Sequence, residues 1–388
     1  MEFKGLKYCT RCIMPETVEG QKFDKDGVCI TCQAQEAKKE VNWGHKKDEL
    51  AKIIKKAKSK AGNNYDCIIP ISGGKDSIYQ IHVMIKEFGV KPLCVTFNHN
   101  WFTSTGWYNL QNCLETFELD HVMFTPNRRL VNKIARRSVE IIGDACWHCH
   151  AGVAAFTIQM AVFYKVPLII WGESAAEYGH QGNTYKNHIT FDRDYFTKLS
   201  SKFSCEEFAC EYLTLRDLYP FKLPEIEECK DLKGIHLGNY IPWDAEKNTK
   251  LMKNLYRWKG RDVGGAYKDY KSVECSMAGI HDFLCYLKRG FGRASIQASG
   301  DIRDYGMSRE EAFRLVEKYE RIEPIQLEYF LQITGLSAID FREYMEKLKH
   351  ESIKGINLPA DKEWRALVEE GKPFMVKMIE AQQIGHKI

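Results

Sequence analysis

The stretch Ile69-Pro70-Ile71-Ser72-Gly73-Gly74-Lys75-Asp76-Ser77 decides the fold of this 388-residue chain. It ends a short apolar run and opens a segment with helical character. Two consecutive glycines let the backbone pass close to a ligand, and a helix N-terminus presents its N–H groups to an anion. Lys75 adds positive charge, and the Ser72 and Ser77 hydroxyls add hydrogen-bond donors. A strand, a glycine loop and a helix in this order predict a nest for a pyrophosphate group.

The loop differs from a Walker A sequence, which has four residues between its first glycine and Gly-Lys. Asp76 is suited either to hold Mg²⁺ or to orient the loop. A tight turn without a ligand is the alternative interpretation, because a glycine pair alone is a weak signal.

Short apolar runs alternate with longer helical segments around this loop. The runs lie at 66–71, 92–97, 121–125 and 166–172. The intervening segments lie at 76–88, 105–119, 128–142 and 151–164. This alternation predicts an α/β fold with a doubly wound parallel sheet, in which ligands bind at the carboxyl ends of the strands.

Two cysteine pairs near the start of the chain predict a zinc ribbon. Cys9 and Cys12 form one CxxC, and Cys29 and Cys32 form another, with turn-forming residues between them. Two such pairs can surround one ion with four thiolates, which leaves no open position for catalysis. We therefore expect Zn²⁺ in a structural role. Four unrelated buried cysteines are the alternative.

Composition limits the classes of protein that the chain can represent. Lys plus Arg exceed Asp plus Glu by 56 to 52, a net charge of +4, so we expect no nucleic-acid partner. The sequence shows no apolar run of membrane-spanning length and no secretory signal, which predicts a cytoplasmic protein with no membrane contact. Thiols stay reduced there, so the 14 cysteines are expected to be metal ligands, buried residues or reactive groups.

The strand, the Ser-Gly-Gly-Lys-Asp-Ser loop and the helix resemble the PP-loop ATP pyrophosphatases, which include GMP synthetase, asparagine synthetase and the tRNA thiolation enzymes. The resemblance implies an adenine nucleotide alpha hydrolase-like fold, ATP and Mg²⁺, and attack at the α-phosphate. It also implies metal or base roles for Glu173 or Glu177, and catalytic roles for Lys75 and Asp76. The implied nucleotide-binding residues are Ser72, Gly73, Gly74, Lys75, Asp76, Ser77, Phe97, Asn98, Gly172 and Glu173.

A further pair, Cys146 and Cys149, stands within Cys-Trp-His-Cys-His before the segment at 151–164. In the tRNA 2-thiolation enzymes, a CxxC at this place joins a later cysteine to hold an iron–sulfur cluster or to transfer sulfur. Here the pair either forms a second metal or redox site or packs as interior thiols. Cys275 is one candidate for a third ligand, and the other candidates are Cys205, Cys210 and Cys229.

The order of four motifs along the chain resembles the N-acetyl sugar amidotransferases of O-antigen, pseudaminic acid and legionaminic acid pathways. The motifs are the four-cysteine site, the glycine loop, Cys-Trp-His-Cys-His, and a late stretch from Glu274-Cys275 to Lys288-Arg-Gly-Phe-Gly-Arg293. The resemblance implies conversion of an acetamido group on a nucleotide-activated sugar into an acetamidino group. The tRNA thiolation enzyme is the alternative function, and a zinc-ribbon interaction protein with a relic ATP site is a third.

The ammonia for such a reaction is expected to come from another protein. An N-terminal cysteine glutaminase needs cysteine directly after Met1, where this chain has Glu2, and no nucleophile elbow with a glycine-flanked cysteine is evident. The resemblance implies a separate glutaminase subunit, with a cyclase-like subunit as an ammonia conduit.

Residues of the late stretch are weak candidates for sugar-nucleotide binding: His281, Lys288, Arg289 and Arg293. Arginine forks match phosphate and carboxylate groups, although an ordinary basic helix end is an equal interpretation. The predicted domains are a zinc ribbon (1–45), a linker helix (46–62), a PP-loop domain (63–180), an insertion completing it (181–250) and a mainly helical substrate or partner region (251–388).

Overall fold

A parallel five-stranded sheet forms the centre of the molecule. The computed structural model describes residue 3 and residues 5–174 and 202–356, so Glu177 and parts of the predicted regions 181–250 and 251–388 lie outside the described residues. The strand order is β3-β2-β1-β4-β5. The strands are β1 (Cys67–Pro70), β2 (Pro92–Phe97), β3 (His121–Phe124), β4 (Leu168–Trp171) and β5 (Lys233–His236).

The four strands predicted from the alternating pattern are confirmed. β2 has the predicted bounds. β3 is shorter than predicted by one residue, β1 by two residues and β4 by three residues. β5 was not predicted, because its four residues include Lys233 and Gly234 and show no period. It pairs in parallel with β4, and its buried Ile235 lies beside Ile170.

Helices surround the sheet and continue beyond it. In chain order, the described α-helices of eight or more residues are α1 (Ile30–Lys39), α2 (Trp43–Ala61), α3 (Lys75–His82), α4 (Ser104–Thr116), α5 (Arg128–Ile142), α6 (Trp147–Phe163), α7 (Ala245–Tyr256), α8 (Ala278–Arg289), α9 (Arg293–Tyr305), α10 (Arg309–Tyr319), α11 (Leu327–Thr334) and α12 (Ala338–Lys347). Among the described helices, none is both long and apolar enough to cross a bilayer.

Side chains on successive positions of β1 enter different hydrophobic cores. Ile69 packs with residues of α2, α3, α4 and α7, whereas Ile68 packs with residues of α5 and α6. Alternate residues of a strand point to opposite faces, so both faces of the sheet are covered by helices. The predicted doubly wound α/β fold is confirmed.

Two helices depart furthest from the predicted segments. α6 begins at Trp147, whereas the predicted segment begins at 151. The earlier start could not be predicted, because Cys146 at the N-cap makes no side-chain capping bond and is not a typical capping residue. The segment predicted at 76–88 is α3 followed by a π-helical turn, Val83–Glu87. This wider turn lets the consecutive residues Val83 and Met84 both reach the core.

The region after the sheet is mainly helical, as predicted. Its helices α8, α11 and α12 pack on α5 through a third core that includes Val131, Phe283 and Phe330. Ser308 caps α10 by accepting the Glu311 amide at 3.1 Å, and a serine three residues before a glutamate is a typical helix start. This packing carries residues 274–293 back to the sheet.

The segment that contains Glu274 lies directly against the start of α4. Thr103, the N-cap of α4, donates its amide to the Glu274 carbonyl oxygen at 2.9 Å. A Cβ on Gly106 would lie 2.6 Å from the Glu274 Cα. Only a glycine at this position of α4 allows the two backbones to come so close.

We predict that Gly106→Ala destabilises the protein by about 1–3 kcal/mol, since the new methyl group meets backbone that cannot rotate away. Gly300→Ala in α9 is the matched control: its Cβ would have only the Arg303 side chain within reach, at 4.0 Å. This control should gain up to about 1 kcal/mol from helix propensity. Urea unfolding measures both variants, and equal stabilities would contradict the close contact.

Candidate active site and metal centre

A cavity of about 370 Å³ lies at the carboxyl ends of β1, β2 and β4. Its walls include Ser72 after β1, Phe97 and His99 at the end of β2, and Trp171 and Gly172 at the end of β4. β1 is central, and the chain passes from β2 and β3 on one side of it to β4 and β5 on the other. Parallel α/β sheets bind ligands at such a switch point, as the sequence predicted.

The glycine loop is fixed by backbone contacts beneath this cavity. Gly73 has a φ of 78°, and a Cβ there would lie 2.5 Å from the Gly106 carbonyl oxygen. Its own carbonyl oxygen accepts a hydrogen bond of 2.9 Å from Trp258 Nε1. The loop therefore needs glycine at this position for both its conformation and its packing.

Two serines hold the turn into α3. Ser72 Oγ accepts the Gly74 amide at 3.3 Å, and Ser77 Oγ donates to the Gly74 carbonyl oxygen at 2.9 Å. Gly74 is the N-cap of α3 and has no side chain to cover the helix end. The first amides of α3 are thus in position to serve an anion, as expected for a pyrophosphate nest.

Lys75 and Asp76 form an ion pair at the start of α3. Lys75 is 1% exposed, and burial lowers its pKa. Burial acts to raise the pKa of Asp76, but the charges of Lys75 and Lys271 outweigh it, and the pKa falls below its ordinary value. Lys75 Nζ also lies 5.4 Å from the centre of the Tyr270 ring. Asp76 consequently remains ionised and can serve a cation.

The other predicted nucleotide residues divide into two groups. Phe97 and Gly172 line the cavity. Asn98 instead holds the turn after β2, accepting the Asn100 amide at 2.8 Å and donating to Thr125 Oγ1 at 3.1 Å. Glu173 lies next to the wall and pairs with Lys271 at 3.7 Å.

The structure brings the second cysteine pair to the same cavity as the glycine loop. Cys146, Cys149 and Cys275 all contribute to its walls. Burial raises the pKa of all three thiols, to about 12 for Cys275. The alternative third cysteines, Cys205, Cys210 and Cys229, lie instead in the hydrophobic core under α6.

Asp144 connects this cysteine pair to α8. His281 Nδ1 lies 2.7 Å from Asp144 Oδ1, and the Cys146 amide donates to the same oxygen at 3.2 Å. Asp144, Cys146 and His281 offer ligand atoms within 4.8 Å of one another, so they could hold a metal ion. The sequence analysis did not predict Asp144.

Two of the four predicted sugar-nucleotide residues reach the cavity. His281 and Arg293 line it, and Arg293 is held by both carboxylate oxygens of Asp282. Lys288 and Arg289 do not reach it, because both are used in packing. Lys288 Nζ donates to the Ile142 carbonyl oxygen at 2.7 Å, and Arg289 Nη1 donates to the Thr17 carbonyl oxygen at 3.0 Å.

Glu274 and His99 also line the cavity, and sequence reasoning assigned them no role. His99 stacks on Phe102 at 4.6 Å, and burial lowers its pKa to about 4, so it is neutral. Glu274 stands next to Cys275 at the start of the late stretch that carries the family resemblance. That position is the only signal in the sequence that could have indicated a role for it.

The four cysteines near the N-terminus form a buried group away from the sheet. Their sulfur atoms lie within 4.8 Å of one another, with 4.0 Å between Cys9 and Cys32 and 3.7 Å between Cys12 and Cys29. A tetrahedral ion with bonds of about 2.3 Å to sulfur separates its sulfurs by about 3.8 Å. The donor set and its spacing fit a single metal ion.

Helix α1 was not predicted within the ribbon, and it supplies one of the ligands. Cys29 is its N-cap and accepts the Cys32 amide at 3.4 Å through its sulfur. The Cys29 amide donates to Cys9 Sγ at 3.2 Å. Such N–H contacts orient metal-binding thiolates.

Arginines of α9 and α10 hold this group against the C-terminal helices. Arg309 Nη1 donates to the carbonyl oxygens of Cys9 and Cys12. Arg303 Nη1 is buried, has no hydrogen-bond partner among the residues that the structure describes, and interacts electrostatically with Cys12, Cys29 and Cys32. A metal bound by four thiolates carries net negative charge, which would compensate this guanidinium.

Residues 264–363 match the family model described as "LPS biosynthesis protein WbpG-like, C-terminal domain". Residues 264–363 are named the WbpG-like domain for this similarity. The match supports the resemblance to the N-acetyl sugar amidotransferase family in this part of the chain. Four of the cavity residues described above belong to the WbpG-like domain: Glu274, Cys275, His281 and Arg293.

Other comparisons extend beyond the WbpG-like domain. An uncharacterised protein of Methanocaldococcus jannaschii is 26% identical over 312 residues, which cover 80% of this chain and 93% of that protein. The U34-tRNA thiolase NcsA of Methanococcus maripaludis is 14% identical over 83% of this chain and 90% of its own, with a TM-score of 0.32. The NMN synthetase of Francisella tularensis is 11% identical over 78% and 96%, with a TM-score of 0.33. Such low TM-scores carry no argument about function.

We predict that Cys9→Ser removes the metal and lowers the unfolding midpoint, because metal binding contributes directly to folding free energy in such sites. Elemental analysis by mass spectrometry should find a single ion, zinc, per wild-type chain and less in the variant. Cys210→Ser is the control, since Cys210 lies in the core under α6. Full metal content in Cys9→Ser would contradict a four-thiolate centre.

Proposed function

We propose that the chain is an ATP-dependent amidotransferase of lipopolysaccharide or related surface-glycan biosynthesis. It would convert an acetamido group of a nucleotide-activated sugar into an acetamidino group. One observation carries the proposal: a single cavity joins the glycine loop at Ser72 to Glu274, His281 and Arg293 of the WbpG-like domain. A nucleotide on the loop and a substrate of that domain would meet there.

The chemistry requires an activated amide. An amide carbonyl is a poor electrophile, so its oxygen must first become part of a leaving group. In the proposed reaction that oxygen attacks the α-phosphorus of ATP, pyrophosphate departs, and the amide nitrogen loses its proton. Ammonia then adds to the carbon of the adenylated imidate, and AMP leaves. The step needs positioning and charge stabilisation rather than a protein nucleophile.

The loop residues have distinct roles in this proposal. The first amides of α3 and the Ser72 and Ser77 hydroxyls would bind the phosphates, and Lys75 would stabilise the charge that develops as pyrophosphate leaves. Asp76 would hold Mg²⁺, which supplies further neutralisation of the phosphates. Phe97 and Gly172 would form the wall beside adenine and ribose.

Residues of the WbpG-like domain would bind the sugar nucleotide. Arg293 has its guanidinium fixed by Asp282, which suits recognition of a phosphate or carboxylate. His281, fixed by Asp144, would contact the sugar. The ammonia would come from a separate glutaminase subunit, with a cyclase-like subunit as conduit.

Mass spectrometry of acetamido sugar nucleotides incubated with the protein, ATP, Mg²⁺ and ammonium tests the proposal. We expect a product lighter by about 1 Da, the consequence of replacing O by NH, together with AMP and pyrophosphate. Lys75→Met should reduce its formation by about 10²–10³-fold, since a buried charge beside the phosphates is lost. Lys347→Met, on the exposed face of α12, is the control. Release of ADP instead of AMP would overturn the proposal.

A tRNA thiolation activity is the second candidate, favoured by the three thiols that line the cavity. Cys146, Cys149 and Cys275 stand close to the loop that would activate the substrate. This candidate predicts anaerobically purified protein that is brown and contains iron, and iron content that falls in Cys149→Ser but not in Cys9→Ser. It also predicts tRNA binding that weakens steeply with salt. Colourless, iron-free protein would exclude a cluster at this site.

A further inference from the structure

Glu274 is held rigidly at the edge of the glycine loop. Its carbonyl oxygen accepts the Thr103 amide at 2.9 Å, and its Cα lies against Gly106. On either side, Thr103 Oγ1 donates to the Val273 carbonyl oxygen at 2.6 Å, and the Ser276 amide donates to the Trp101 carbonyl oxygen at 2.8 Å. These contacts therefore fix the position of the Glu274 Cα atom relative to α4.

The carboxylate of Glu274 lies beside the N-cap of α3. A Cβ on Gly74 would be 3.4 Å from one of its oxygens and 3.7 Å from the other. The side chain is half-buried and lines the cavity. An acidic group thus stands next to the amides that would bind phosphate.

Three cations around the glycine loop are paired with other carboxylates, whereas Arg261, which lies within electrostatic range of Glu274, donates to the Cys275 carbonyl oxygen at 3.4 Å. Lys75 pairs with Asp76, Lys271 with Glu173, and Arg293 with Asp282. Within residues 5–174 and 202–356, the structure shows no ion pair to Glu274. The titratable or charged groups that act on it or on which it acts are Lys75, Asp76, Cys149, Arg261, Cys275 and Arg293.

A carboxylate in this position is unfavourable beside the phosphate of an adenylated intermediate unless a cation or a proton neutralises it. Ammonium satisfies the requirement, because it is small, carries one positive charge and donates hydrogen bonds. A proton transferred from ammonium to carboxylate replaces two charges by two neutral groups, and partial burial of the carboxylate favours the neutral pair. The product of that transfer is the nucleophile ammonia.

We propose that Glu274 is a catalytic residue that receives ammonium and takes its proton. This inference rests on the proposed amidotransferase function and assigns its ammonia-activating base. An N–H bond of ammonium breaks and an O–H bond forms on Glu274. The nitrogen lone pair then forms a C–N bond to the imidate carbon, and the C–O bond breaks as AMP leaves with its electron pair. Glu274 returns the proton to solvent after the amidinium product departs.

Glu274→Gln in the full-length protein tests the assignment with two nucleophiles. Ammonium must lose a proton before it attacks, whereas hydroxylamine is already neutral at pH 7. We expect the variant to form amidine from ammonium about 10²-fold more slowly at pH 7, the loss typical of a missing general base. With hydroxylamine it should form the amidoxime at the wild-type rate. Raising the pH, which supplies free ammonia, should restore much of the ammonium reaction.

Two controls separate the proposed step from other effects. Sugar-dependent release of pyrophosphate should be unchanged in Glu274→Gln, since adenylation precedes the entry of ammonia. Glu310→Gln, an exposed residue of α10, should match the wild type in every assay.

The outcomes distinguish this inference from the proposed function. Equal loss of both nucleophile reactions in Glu274→Gln, or recovery of activity with excess Mg²⁺, would overturn the assignment and make Glu274 a packing residue or a metal ligand. If the wild type releases neither AMP nor pyrophosphate with any acetamido sugar nucleotide, the proposed function itself fails.

Discussion

Three backbones meet at the start of α4, and the rest of the site depends on that contact. The Gly73 backbone lies against Gly106, and Gly106 lies against the Glu274 Cα. No side chain separates the glycine loop, the helix and the returning segment. The glycine loop and the WbpG-like domain are therefore held close together by main-chain packing. A cavity shared by two parts of the chain follows from this arrangement.

The same contact explains how the glycine loop and the WbpG-like domain come to line one cavity. The sheet provides only the loop and the ends of β1, β2 and β4, as in any doubly wound fold. Residues far along the chain complete the cavity because α8 packs on α5 and returns Cys275 and His281 to the sheet. In such folds, the residues added to the sheet determine which reaction is catalysed, whereas the ends of the strands and their loops bind the nucleotide.

Local sequence patterns predicted the sheet, the glycine loop and the four-cysteine group, because each depends on residues close together in the chain. β2 has the predicted bounds, and Gly73 takes the positive φ that the loop requires. Long-range contacts could not be read in the same way. Nothing local shows that Lys288 packs on Ile142 while Arg293 enters the cavity, although the two lie within one basic stretch. Likewise β5 is recognisable only from its pairing with β4.

Helix α9 extends from the cavity to the four-cysteine group. Its first residue, Arg293, lines the cavity, and Arg303 near its other end faces the four-cysteine group. Ten residues of helix separate them by about 15 Å, and the hydrogen bonds along the axis resist bending. Displacement of the four-cysteine group would therefore be transmitted along α9 to the end of the cavity that contains Arg293, the residue proposed to recognise the sugar nucleotide. A metal ion held by the four cysteines would then help to align the cavity without touching its contents.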